Sequence, residues 1–275
     1  MPGYQTKQEC VAIPGSHDLH IQSLLDRQQY ADPLGEAEAL GISSAAWPLF
    51  GLLWPSSLQL ATWMAERPLV PGERILEVGC GLALASMVAH RQGADVTASD
   101  CHPLTETFLN RNVDLNDLSP LPYRHGNWGG DAETLERPGH PAVSGRFDLI
   151  IGSDVLYERD ESGKLSGFIT LHALPCAEVL IVDPNRGNRS AFNKRMADAG
   201  FTLEEIRELI ELDSGHDHHR AREMAETRLT KLDEQIAELQ RQLEEANNKA
   251  LYAAAELQNT RRRMEKEAAD ARSYA

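Results

Sequence analysis

Between about Leu58 and Leu212 the chain alternates short β-type runs with helix-type runs, and this alternation constrains the fold more than any other feature. Arg74-Ile75-Leu76-Glu77-Val78 reads as a strand, followed by Gly79-Cys80-Gly81 and a helical stretch to about Arg91. Ala94 to Ser99 predicts a second strand, ending at Asp100, and His102 to Leu115 a helix. Phe147 to Gly152 and Ala177 to Val182 predict further strands, and Ser190 to Ala199 a helix closed by Gly200. Strands and helices in this rhythm build crossover units: an α/β fold with a parallel sheet and helices on both faces. Such sheets bind ligands beyond the carboxyl ends of their strands, so chemistry belongs just after Val78, Ser99, Gly152 and Val182.

The pattern changes near residue 216. From there to residue 275 there is no proline and no glycine, and apolar or small residues recur from Leu229 through Leu232, Ile236, Leu239 and Leu243 to Met264 in steps of three and four. That seam predicts one long coiled-coil helix. From Glu223 to Ala275 it would span roughly 80 Å, more than a domain of this size can cover, so it either pairs with a partner or stays partly solvated. The expected organisation is therefore an α/β domain over residues 1–215 and a long helix over 216–275.

Charge narrows the function classes. Residues 1–215 carry 30 acidic against 16 basic side chains, out of a net charge of -15 for the whole chain. Nucleic-acid affinity comes largely from Lys and Arg, so no nucleic-acid partner is expected; the acidic field suits a basic protein or amine substrate, or serves solubility alone. Four dispersed cysteines without a C-x-x-C pair match neither a zinc framework nor a disulfide scaffold. The polar N-terminus shows no signal peptide, and the longest apolar run, Ala45 to Trp54, is about half a membrane span. The expectation is a soluble, cytoplasmic protein without a membrane partner. His216, Asp217, His218 and His219 are adjacent on a polar connector with no second cluster, so no metal is expected there.

The strongest chemical signal is Glu77-Val78-Gly79-Cys80-Gly81-Leu82-Ala83, with Asp100 ending the next strand. Glycines at 79 and 81 allow a sharp turn and close approach to a ligand. An acid about 20 residues on is placed for ribose hydroxyls. A dinucleotide fingerprint would need glycine at 84, where Leu84 stands, and no G-K-[ST] follows. An adenosine ligand without pyrophosphate fits better, and S-adenosylmethionine is the obvious candidate. Trp47 reads as core, and Cys80 as a small filler, since nothing electropositive surrounds it to activate a thiol.

Trp54-Pro55-Ser56, the Glu77–Ala83 loop, Ser99-Asp100, Asn127-Trp128 and Asp154-Val155-Leu156-Tyr157 together resemble class I methyltransferases, with the seven-β-strand protein-lysine methyltransferases of the methyltransferase-like family as the nearest group. The resemblance covers roughly residues 40–212. It implies a Rossmann-like methyltransferase sheet and S-adenosylmethionine held by Glu77, Gly79, Gly81 and Asp100. Trp128 would lie against the adenine, Trp54 would close the pocket, and Ser153 would stand at its wall. Ala83 occupies a position where many members have a third glycine, a departure expected to cost only a methyl group.

Methyl transfer from a sulfonium to an amine needs a neutral nitrogen. For lysine, with a pKa near 10.4, deprotonation at pH 7 costs about 4.6 kcal/mol. An acid at a strand's carboxyl end can bind and orient the incoming ammonium, and that is the role read for Asp154; Tyr157 would hydrogen-bond the amine or pack against its stem. The bland alternatives are a helix N-cap for Asp154 and junction packing for Tyr157. The acceptor is expected to be a protein lysine, with a small amine as the alternative.

The segment from Asn248-Lys249-Ala250-Leu251 to Ser273-Tyr274-Ala275 resembles the stalk of GrpE-type exchange factors, dimeric partners of DnaK-type chaperones. That resemblance implies a homodimer through the C-terminal helix and a chaperone contact near Arg261 to Arg263. Thr202 to Leu212 supplies one more strand, and no second alternating run precedes the heptads. The final antiparallel strand of seven-stranded methyltransferases is therefore expected to be lacking. A dimerisation or chaperone-docking chain with an inactive methyltransferase domain is the competing reading.

Overall fold

The computed structural model describes residues 3–129, 141–156, 162–184, 187–202, 206–209 and 241. The chain divides into two compact units, Met1–Arg222 and Glu223–Ala275. All described residues except Arg241 belong to the first. The heptad seam, the His216–His219 cluster and Tyr157 lie outside the described residues.

The first unit opens with an antiparallel hairpin, β1 (Thr6–Val11) and β2 (Leu19–Leu24), which the sequence reading did not predict. A short helix α1 (Glu36–Ala39), a 3-10 turn at Trp47–Gly51 and helix α2 (Pro55–Glu66) follow. Then come β3 (Arg74–Val78), α3 (Leu84–Gln92), β4 (Asp95–Asp100), α4 (Thr105–Leu115) and β5 (Tyr123–His125). The series ends with β6 (Phe147–Ser153), α5 (Lys164–His172), β7 (Ala173–Val182), α6 (Arg189–Asp198) and β8 (Ile206–Leu209). The sequence reading missed β5, only three residues long, and α5.

Strands β3 to β8 form one sheet in the order β5-β4-β3-β6-β7-β8, every pair parallel. The chain steps outward from β3 through β4 to β5, then crosses back to β6 on the other side of β3. That reversal opens a crevice beyond the carboxyl ends of β3 and β6. β8 pairs β7 directly in parallel, with no antiparallel strand between them.

Side-chain parity on β3 divides the two faces. Leu76 and Val78 join Ile150, Val179 and Ile181 in a buried cluster with Leu165, Phe168 and Ile169 of α5 and Phe192 and Met196 of α6. Glu77 points to the opposite face, where it meets Ser86 of α3. Strand β7 begins four residues earlier than predicted because a register shift, with Cys176 at φ 66°, absorbs the extra residues before Glu178 pairs Leu149.

Two asparagines tie the hairpin to the α/β layer. Asn112 accepts from the Gln22 N–H at 2.7 Å and donates to its carbonyl at 3.3 Å. Asn116 does the same for His20, at 2.8 Å in both directions. Four residues of helix advance about 6 Å and two of strand about 6.7 Å, so successive amides meet alternate strand residues. The pair satisfies an edge of β2 that would otherwise expose bare backbone groups.

Candidate active site

A cleft of about 730 Å³ lies beyond the carboxyl ends of β3, β4 and β6. Gly79, Gly81, Asp100, Trp54, Trp128, Ser153 and Asp154, all singled out in the sequence, line it. Tyr157 lies outside the described residues.

The glycine loop is shaped by what presses on it. Gly79 (φ 59°) and Gly81 (φ 51°) both adopt the left-handed conformation that glycine tolerates best. A Cβ on Gly79 would sit 2.8 Å from Val155 Cγ1 and 3.2 Å from the Trp128 ring; one on Gly81 would sit 2.9 Å from the Phe50 carbonyl oxygen. The loop is thus held between two walls, the Trp128 ring against Gly79 and the 3-10 turn against Gly81. Ala83 also adopts φ 56° at the start of α3. Its departure from glycine therefore carries backbone strain as well as an added methyl, which corrects the expectation of a negligible cost.

Asp100, 8% exposed, accepts the Gly81 N–H at 3.0 Å and the His102 N–H at 2.8 Å. Burial raises its pKa, while the N–H groups of His102, Gly81 and Cys101 and the Thr105 hydroxyl pull it back. The carboxylate both fixes the loop and faces the cleft.

Glu77 departs from the expected role. It is 1% exposed and lies behind the loop: one carboxylate oxygen accepts the Ser86 N–H at 2.9 Å and also the Ser86 hydroxyl. Burial pushes its pKa up to about 7 against those bonds. It anchors α3 to β3 and does not line the cleft, because strand parity turns it toward α3.

Trp54 fixes the opposite wall. It precedes α2, its Nε1–H donates to the Leu49 carbonyl at 3.0 Å, and the Arg27 guanidinium lies 4.9 Å from its ring centroid. Trp128 packs partly against the core, and its Nε1 is buried without a hydrogen-bond partner among the described residues. Trp47 is core as expected, 1% exposed amid Tyr4, Tyr30, Phe50 and His102. Cys80 is buried, and burial with Asp100 and Glu77 nearby holds its thiol well above the usual range, as an inert filler requires.

Asp154, 9% exposed, follows β6 directly and adopts φ 56°, a conformation that Asp tolerates better than most residues. Its N–H donates to the Val182 carbonyl at 2.9 Å. Among the described residues it caps no helix: α5 begins at Lys164 with Gly163 as its cap.

Sequence reasoning missed Phe50, His102, Arg27 and Lys164. The Phe50 and His102 rings stack at 3.7 Å and 13°, joining the 3-10 turn to the end of β4. Lys164 lies over Gly129, where a Cβ would meet its Nζ at 2.7 Å. No motif announces these contacts, since each joins segments more than 25 residues apart.

A parallel sheet with a glycine loop after its central strand, an acid ending the next strand, and a second acid across the reversal point defines a Rossmann-like nucleoside-binding α/β domain. The chain belongs to the lysine methyltransferase family, whose profile matches residues 48–197. A second profile, "MerR, DNA binding", matches residues 191–246, which begin within α6 and cover too little of the chain to assign a family. The tail's GrpE-type resemblance finds no counterpart among these matches.

Among individual proteins, the electron transfer flavoprotein beta subunit lysine methyltransferase of Danio rerio is 30% identical over 151 residues, covering 54% of this chain and 54% of that protein. The calmodulin-lysine N-methyltransferase of Arabidopsis thaliana is 28% identical over 156 residues, covering 54% and 50%. A protein N-terminal and lysine N-methyltransferase of Yarrowia lipolytica is 27% identical over 192 residues, covering 59% and 69%. The chain spans about half the length of the first of these relatives.

Proposed function

We propose that the chain is an S-adenosylmethionine-dependent N-methyltransferase acting on a lysine of a protein substrate. The observation that carries this reading is the convergence on one cleft of the Gly79–Gly81 loop, Asp100 and Asp154, from three neighbouring strands. The site fits the cofactor on its own terms. The loop leaves no room for a Cβ at either glycine, Asp100 stands where ribose hydroxyls can donate to it, and the Trp128 ring borders the cleft beside Gly79. S-adenosylmethionine supplies an electrophilic methyl on a sulfonium. Asp154 offers the counter-charge that draws an ammonium into the cleft and orients the nitrogen once its proton has left. Trp54 and Trp128 line the cleft as apolar walls beside these groups.

Protein lysine is favoured over a small amine by the family and by the lysine methyltransferases among the relatives. The acidic excess of residues 1–215 suits a basic protein surface. The heptad seam supports self-association of the tail, and a chaperone contact rests on the stalk resemblance alone. None of the four cysteines forms a disulfide, which suits a reducing compartment such as the cytoplasm.

Calorimetry with S-adenosylmethionine and with NAD tests the cofactor; binding of NAD alone would sink the reading. Incubation with labelled cofactor and a cell lysate tests the acceptor, which label confined to small molecules would reassign. Sedimentation of the full chain across a concentration series tests the dimer, and a monomer at high micromolar concentration rejects it.

A further inference from the structure

We infer that Arg27, in the loop between β2 and α1, is the binding site for the carboxylate of the cofactor's amino-acid portion; the inference rests on the cofactor reading above. S-adenosylmethionine carries an α-carboxylate that needs a cation or N–H donors when it leaves water. The first unit is strongly acidic, and among the described residues lining the cleft only Arg27 and Lys164, apart from the His102 imidazole, bring a basic side chain to it.

These two cations lie on different walls. Lys164 rests over Gly129, next to Trp128, whose ring presses on Gly79. Arg27 lies over Trp54, on the wall that the 3-10 turn builds against Gly81 through the Phe50 carbonyl. If adenine takes the Trp128 wall, the amino-acid end of the ligand falls toward Trp54, and the cation waiting there is Arg27.

The geometry favours arginine for this task. Trp54 is held by its bond to the Leu49 carbonyl, so its ring is a fixed platform. A guanidinium lying over an indole face leaves its N–H groups free to meet a carboxylate in a matching fork. Arg27 is otherwise exposed, and the described ion pairs do not include it.

Binding of two product-like ligands tests the site without turnover. S-adenosylhomocysteine carries the amino-acid end, and 5′-methylthioadenosine has the same adenosine and thioether without it. Arg27→Met keeps a hydrocarbon stem over Trp54 and removes the charge. The intact chain should prefer S-adenosylhomocysteine, and Arg27→Met should lose about tenfold of that preference, the lower end for a charge-assisted bond at an exposed residue. Arg27→Lys should retain part of it. Affinity for 5′-methylthioadenosine should stay within twofold throughout. Equal weakening of both ligands, or an unchanged preference in Arg27→Met, would overturn the assignment while leaving the cofactor reading intact. Failure of the intact chain to bind either ligand would overturn both.

Discussion

One carboxylate oxygen of Glu77 accepts both the backbone N–H and the hydroxyl of Ser86, joining β3 to α3 directly behind the glycine loop. With its pKa pushed up to about 7 by burial, Glu77 holds its proton more tightly in the folded chain than in the unfolded one, where about 4.3 applies. Its contribution is full below about pH 4 and falls as pH rises toward 7, by roughly 3–4 kcal/mol at the limit; above that it is flat. Denaturant unfolding of the native chain and of Glu77→Gln from pH 4 to 8 checks this. Glu77→Gln keeps an acceptor for Ser86 and should gain stability relative to the native chain across that window. A pH-independent difference between the two would refute the assignment.

Asp100 holds the loop and faces the ligand, so its two roles should separate by substitution. Asp100→Ala should weaken S-adenosylmethionine binding at least tenfold, as loss of a charge-assisted bond implies, and should also lower the melting temperature because the Gly81 and His102 N–H groups lose their acceptor. The Gly81 and His102 N–H groups use different oxygens of Asp100, so Asp100→Asn keeps only one acceptor and sets its NH2 against the other N–H; it should recover part of the stability lost in Asp100→Ala while binding remains weak. Calorimetry and thermal melts on both variants measure the split.

Asp154→Asn should lower turnover at least tenfold and change cofactor affinity less than twofold. Asparagine tolerates the left-handed backbone at this position, so a fold defect is not expected to mask the result. Single-turnover methylation beside calorimetry distinguishes these effects. Parallel loss of cofactor binding would move Asp154 to the cofactor side of the cleft.

Gly81→Ala should destabilise the chain by about 1–3 kcal/mol, because its Cβ would meet the Phe50 carbonyl oxygen at 2.9 Å and its backbone is left-handed. Ala83→Gly should do the opposite and stabilise by up to about 1 kcal/mol. Relief of the strained backbone exceeds the entropy that glycine adds to the unfolded chain. Urea unfolding of both variants gives the two signs.

Local chemistry made much of this protein legible in its sequence. Apolar β-runs broken by glycine and followed by helical stretches marked β3, β4, β6 and β7, because strand and helix periodicities are local properties of the chain. The glycines and acids at the strand ends marked the site for the same reason: a parallel sheet places its ligands there whatever its partners. What the tertiary structure decided is which way each residue turns and what it meets. Glu77 reads as a cofactor ligand beside Gly79, yet parity on β3 sends it to Ser86. Ala83 reads as a mild substitution, and its strain is visible only once the loop's φ is known. Arg27 stands 27 residues before Trp54 and 73 before Asp100 in the chain, with no motif to join them, and folding places all three on one cleft. Periodicity is encoded in neighbours along the chain, whereas the partners of a buried carboxylate or a stacked guanidinium are encoded only in how distant segments pack.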